Sequence, residues 1–187
     1  MNNASLEQLN KKEIQTDIMR YRNNGTSFWL SILAIILDVA MFLIIYTNKN
    51  CKADYQLGID LIINVIFLLA VFLIAEKTKA YNKKASIAAF VVAGIEIGRI
   101  FWIPLKYLNM WKENYAKLLE SYGGVATDIP AEQIEAIVGM TRGDFTWCVV
   151  LMSCAALALI GAGVIAILRA NKLQAHLAKL EEIEKRG

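Results

Sequence analysis

The sequence holds two prolines, three cysteines and one histidine among 187 residues. Two prolines leave no room for a Pro-rich linker or a collagen-like chain. Three cysteines do not make a disulfide scaffold. One histidine excludes a paired-histidine metal motif, and the chain carries no CxxC, GxSxG or phosphate-binding loop. Excess charge of one sign is also scarce. Twenty Lys and Arg against 17 Asp and Glu give a formal net charge of +3. That balance makes no basic tract for nucleic acid, and no nucleic-acid partner is expected.

What the sequence does have is apolar residues. They make up 57% of the chain, and the mean hydropathy is +0.43. An ordinary soluble domain holds about 45–50%. The excess falls in four blocks, 27–46, 57–75, 85–105 and 145–168, together 84 residues or 45% of the chain. Crossing a hydrocarbon core takes roughly 20 apolar residues in a helix, and each block meets that length. A soluble bundle would show one apolar stripe and one charged face per helix. The fourth block instead runs 24 residues with no charge. The pattern predicts an all-α, four-transmembrane-helix bundle, with the bilayer as its first partner. The first block begins at residue 27, behind a charged helix-like segment and with no clear small-residue cleavage site, so it reads as a span and not as a signal peptide.

Loop charge sets the expected orientation. Residues 1–26, the loop 76–84 and the tail after Leu168 hold 13 Lys and Arg. The loops on the opposite side hold six. Cationic loops resist translocation, so both termini are expected in the cytoplasm, with the protein in a plasma or inner membrane. The basic loops would also lie against anionic headgroups. Trp29 and Tyr81 fall at the inner ends of spans; Tyr46, Tyr55, Trp102, Trp111 and Trp147 fall at or near the outer ends, as an aromatic belt requires.

Outside the spans, Leu6 to Tyr21 reads as an amphipathic helix with Leu6, Leu9, Ile14 and Ile18 roughly on one side, broken at Asn23-Asn24-Gly25. The tail 171–185 continues the fourth span, with Leu173, Leu177, Leu180 and Ile183 as a stripe that needs cover; His176 lies beside it without a ligand set. The 39-residue outer loop 106–144 is long for a structureless connection. Residues 106–122 suggest a helix with an apolar face that ends at Gly123-Gly124. Residues 128–140 suggest a second one, with Pro130 in its first turn. With net charge −2 and no catalytic set, this loop reads as a compact outer cap rather than a lid.

The informative residues are the polar ones inside the spans. Asp38 and Glu96 each lie 11 residues from the inner ends of spans one and three; Arg99 is three residues farther out. Asp60 and Asn64 lie three and seven residues into span two from the outside. At about 1.5 Å rise per residue, all five share one depth band in the outer half. A charge at a helix centre costs about 2.5–3.5 kcal/mol on insertion scales, so this cluster should face the bundle interior. Three acids face one base. With Arg99 paired to one acid, two acids need a proton, outer water or a cation. An oxygen-rich set with Asn64 suits a proton or a hard ion, and no His/Cys cluster argues for a metal. The cluster serves either as a packing network, a cation or proton site, or a contact with a partner subunit.

Helix-packing signals are separate. Gly94 and Gly98 form a GxxxG on span three, with Gly94 about 200° around the helix from Glu96. Ala158 and Ala162, with Cys154 and Ala166, repeat every four residues on span four. A disulfide between Cys51 in the first outer loop and Cys148 near the outer end of span four is geometrically open on an oxidising side. Cys154 is expected to pack as a small apolar residue. Four spans with in-facing termini carry no function by themselves. The expectation is a non-enzymatic membrane subunit or accessory of a homo-oligomer or membrane complex. The alternative is a small transporter or channel binding a proton, cation or cationic ligand at the cluster. The sequence names no cofactor.

Overall fold

Asn82 shows why the third helix starts where it does. Its side-chain oxygen accepts from the backbone N–H groups of Lys84 (3.0 Å) and Ala85 (3.3 Å), capping two donors that the helix leaves open. The structure is a computed structural model that describes residues 10–16, 18, 24–47 and 55–186. It contains α1 (Gly25–Thr47), α2 (Tyr55–Lys79), α3 (Lys83–Ser121), a 3-10 turn (Ala126–Asp128), α4 (Ala131–Glu135) and α5 (Arg142–Arg186). Among the described residues there is no strand, and residues 10–16 are helical.

Four of these helices, α1, α2, α3 and α5, are long and apolar enough to cross a membrane. Their outward faces are greasy. Ile36, Leu43, Ile62, Ile66, Val91 and Leu157 are all more than half exposed. Water would penalise such a surface and hydrocarbon would not. These features mark the chain as an integral membrane protein. The helices run past the apolar blocks: α3 continues through Pro104 to Ser121, and α5 runs unbroken into the tail.

The helices form a ring in the order α1, α2, α3, α5, in which α5 packs closely on α1 and α3 while α2 is held less tightly. Small residues permit the close packing. Ala155, Ala162 and Ala166 are buried on α5, and Ser27 Oγ donates to the Ala162 carbonyl at 2.8 Å. A Cβ at Gly163 would sit 2.9 Å from the Phe90 ring. The expected packing role of Ala158 and Ala162 therefore lies inside the bundle. Gly94 and Gly98 differ: both are exposed, and a Cβ at either meets nothing within 4 Å. The GxxxG plays no part in packing this chain on itself. Cys154 also faces outward, against the expectation that it packs, because it is displaced from the buried Ala155–Leu159 side of α5.

Both ends of the bundle are tied. At one end the Asn24 N–H donates to the Lys79 carbonyl (3.1 Å), and Arg169 reaches Asn24 (3.2 Å) and Thr26 (2.9 Å). His176 Nε2 lies 3.2 Å from the Lys12 carbonyl, and Leu173 is buried, so residues 10–16 lie beside the start of the tail. Ile14 and Ile18 remain exposed. Leu6, Leu9, Asn23, Lys49, Cys51 and Lys52 lie outside the described residues, as do the side chains of Tyr55, Leu180 and Ile183. The Cys51–Cys148 pairing thus has only one described member: Cys148 is buried, with Sγ 3.9 Å from the Met41 carbonyl.

At the other end, the loop end, residues 122–141 fold back on the extension of α3. The second helix expected over 128–140 shrinks to five residues, with Pro130 at its N-cap rather than in its first turn. Docking claims the rest. The Met140 N–H donates to the Tyr107 carbonyl (3.1 Å), and Asn114 Nδ2 donates to the Val138 carbonyl (3.0 Å). Gly139, at φ +131°, lies flat on Trp111; a Cβ there would come 2.5 Å from the Trp111 backbone nitrogen. Ile129, Ile137 and Met140 are buried beneath, so the loop caps the bundle.

Candidate functional site

Two apolar clusters fill the interior. Met41, Ile45, Ile103, Tyr107 and Met152 belong to the one nearer the loop end; Ala34, Val71, Val92, Ala93 and Leu159 belong to the other. Asp38 and Glu96 fall between them along α1 and α3. Every third or fourth residue of α1 turns inward, and Ser27, Ser31, Ala34 and Asp38 follow that period. On α3 the buried series is Val92, Glu96, Arg99, Ile103.

Arg99 is the centre of the cluster. Its Nη1 donates to Glu96 Oε2 at 2.7 Å and to Asp38 Oδ2 at 3.1 Å, and its Nη2 donates to Asn64 Oδ1. The guanidinium also lies 4.2 Å from the centroid of the Phe67 ring, a cation–π contact. One planar side chain thereby joins α1, α2 and α3, which a point-like ammonium could not do. The four residues are between 0% and 6% exposed.

The cluster is closed on the side of Asp38 and Glu96. The space beside Asp38 and Glu96, lined in part by Phe67, Val71 and Leu159, has no room for a water molecule. Asp38 Oδ1, Glu96 Oε1 and Arg99 Nε are buried without a hydrogen-bond partner. One positive charge therefore meets two carboxyls in a dry interior, each with one oxygen engaged and one not.

Asp60 does not join this set. Its Oδ2 accepts from Lys106 Nζ at 2.8 Å and from the Tyr107 hydroxyl at 3.0 Å. The five polar residues expected as one cluster are two groups: Asp38, Asn64, Glu96 and Arg99 at depth, and Asp60 with Lys106 and Tyr107 toward the loop end. The charge count changes accordingly, since Asp60 has its own cation. Lys106 and Tyr107 were not foreseen as partners. The signal for them is depth: Lys106 is the first residue past the apolar block of span three, level with Asp60 near the start of span two. Among the described residues, no three His, Cys, Asp or Glu side chains come together as a metal site.

No protein-family model, curated protein or solved structure matches the chain.

Proposed function

We propose that the protein is a non-enzymatic membrane subunit or accessory that acts within a homo-oligomer or membrane complex. The observation that carries this reading is the Gly94–Gly98 pair on the hydrocarbon-facing side of α3, where a Cβ would meet only open space. Glycine on such a face lets another helix backbone come close. The Arg99 network supports the reading from inside, since one guanidinium bonded to Asp38, Glu96 and Asn64 ties three helices together rather than lining a water path. In this reading the basic end lies in the cytoplasm. Chemical cross-linking in native membranes, followed by mass measurement in detergent, tests the proposal: a defined oligomer or a reproducible partner is expected. A strict monomer with no cross-linked partner overturns it.

A second reading is favoured by one feature, the unpartnered Asp38 Oδ1 and Glu96 Oε1. A small transporter would use these oxygens for a proton or a cation, with Arg99 as the competing charge. Ion-dependent or pH-dependent flux into vesicles that is abolished by Asp38→Asn and by Glu96→Gln would establish this reading. Flux that neither variant changes would remove both residues from the mechanism.

A further inference from the structure

We infer that the cleft between α2 and α3 binds one acyl chain of a phospholipid from the leaflet at the loop end, with the lipid phosphate held by Lys106. The cleft has a volume of about 400 Å³ and is walled by Ile63 and Phe67 of α2 and by Ile95, Gly98, Trp102 and Ile103 of α3. That volume falls in the range of small-molecule sites, about 300–1,000 Å³. It opens sideways, because Ile63, Ile95 and Trp102 at its rim are exposed on the faces that meet hydrocarbon. Gly98 makes the room: a side chain there would fill space that nothing else occupies.

The walls select an apolar occupant. Asp60 and Arg99 line the floor, but the Asp60 carboxylate is bound to Lys106 and Tyr107, and the Arg99 guanidinium is turned to Asp38, Glu96 and Asn64. Length selects an acyl chain. From Ile95 to Lys106 the helix rises about 16 Å at 1.5 Å per residue, close to half of a hydrocarbon core of about 30 Å.

Charge selects a phospholipid over a second helix. Trp102 and Lys106 are four residues apart and share a face of α3. Lys106 lies just beyond the apolar block, and its side chain is 29% exposed. An ammonium has three donors, and Asp60 Oδ2 takes one. The remaining donors lie at headgroup level, where a phosphate can accept from them. An apolar helix laid over the cleft would strip water from that ammonium and return nothing. The cleft shares Gly98 with the proposed subunit contact but does not include Gly94, so a second helix and an acyl chain compete at Gly98 and what is captured at Ile95 tells them apart.

The test uses the full chain in phosphatidylcholine vesicles doped with a phosphatidylcholine that carries a diazirine on its acyl chain. After photolysis, adducts are mapped by mass spectrometry. Several-fold more adduct is expected at Ile63, Ile95 and Gly98 than at Ile62 and Ile66, which are more exposed than Ile63 and Ile95 but lie outside the cleft. Ile63→Trp, which fills the cleft from its exposed rim, should reduce labelling of Ile95 to the level of Ile66. Lys106→Gln keeps a donor for Asp60 but loses the charge, and should reduce it as well. Equal labelling inside and outside the cleft, or labelling indifferent to both variants, overturns the proposal. So does capture of a second protein chain at Ile95 in place of lipid.

Discussion

Arg99 and Asp38 meet across the bundle, Nη1 to Oδ2 at 3.1 Å, although they come from helices that are not neighbours in the ring. Glu96 shares the same nitrogen at 2.7 Å. Removing one partner of a buried ion cluster costs about 3–5 kcal/mol, because the remaining charges stay buried without compensation. Arg99→Met should therefore lower stability by that order, read as a large drop in the thermal unfolding midpoint in detergent. Arg99→Lys should recover only part of the loss, since a lysine cannot hold Asp38, Glu96 and Asn64 together. An unchanged midpoint for Arg99→Met would show that the cluster does not hold the helices.

The loop end rests on one glycine. Gly139 combines φ +131° with backbone contact to Trp111. Gly139→Ala adds strain of about 1–3 kcal/mol and a collision that cannot be relieved by a side-chain rotation. The expected outcome is faster proteolysis and faster hydrogen exchange over residues 126–141, with the four spans unaffected. Gly94→Ala, where the space is open, should leave the midpoint of the isolated chain unchanged.

The Asp60–Lys106 pair couples α2 to α3 near the loop end, with the carboxylate side chain 5% exposed and the lysine 29%. Lys106→Met leaves Asp60 with Tyr107 and should cost about 1.5–3 kcal/mol, the range for a hydrogen bond to a charged group. A double-mutant cycle with Asp60→Asn should give a coupling of about 0.5–3 kcal/mol. A coupling of zero would assign Lys106 to solvent alone.

Much of this was legible in the sequence, and what was not has a physical reason. The lengths of the apolar blocks forecast the four spanning helices, because the hydrocarbon thickness is a hard ruler. Inward placement of Asp38, Asn64, Glu96 and Arg99 followed from the cost of charge in lipid together with helix periodicity. The separation of Asp60 did not follow. Its depth agreed with the cluster to within about two turns, and only the extension of α3 past Leu105 brought Lys106 and Tyr107 over it. The fold of residues 128–140 was also hidden. A helical pattern there competes with docking onto Trp111 and Tyr107, and contacts distant in sequence decide the outcome.

With both termini in the cytoplasm, an impermeant maleimide added to intact cells should label Ser121→Cys and should label Ala175→Cys only after lysis, in a background without the native cysteines. Both positions are exposed. The reverse pattern would show that the 13-to-6 distribution of cations does not set the topology of this chain.

The glycine face of α3 is the proposed subunit contact. Oxidative cross-linking of a Gly94→Cys variant, otherwise free of cysteine, in native membranes tests it most directly. A discrete cross-linked species is expected, either twice the 20.9 kDa chain mass or a reproducible heteromer, lost when Gly98→Leu blocks the approach. A chain that stays monomeric under these conditions, while a cysteine on the far side such as Leu157→Cys behaves identically, would contradict it.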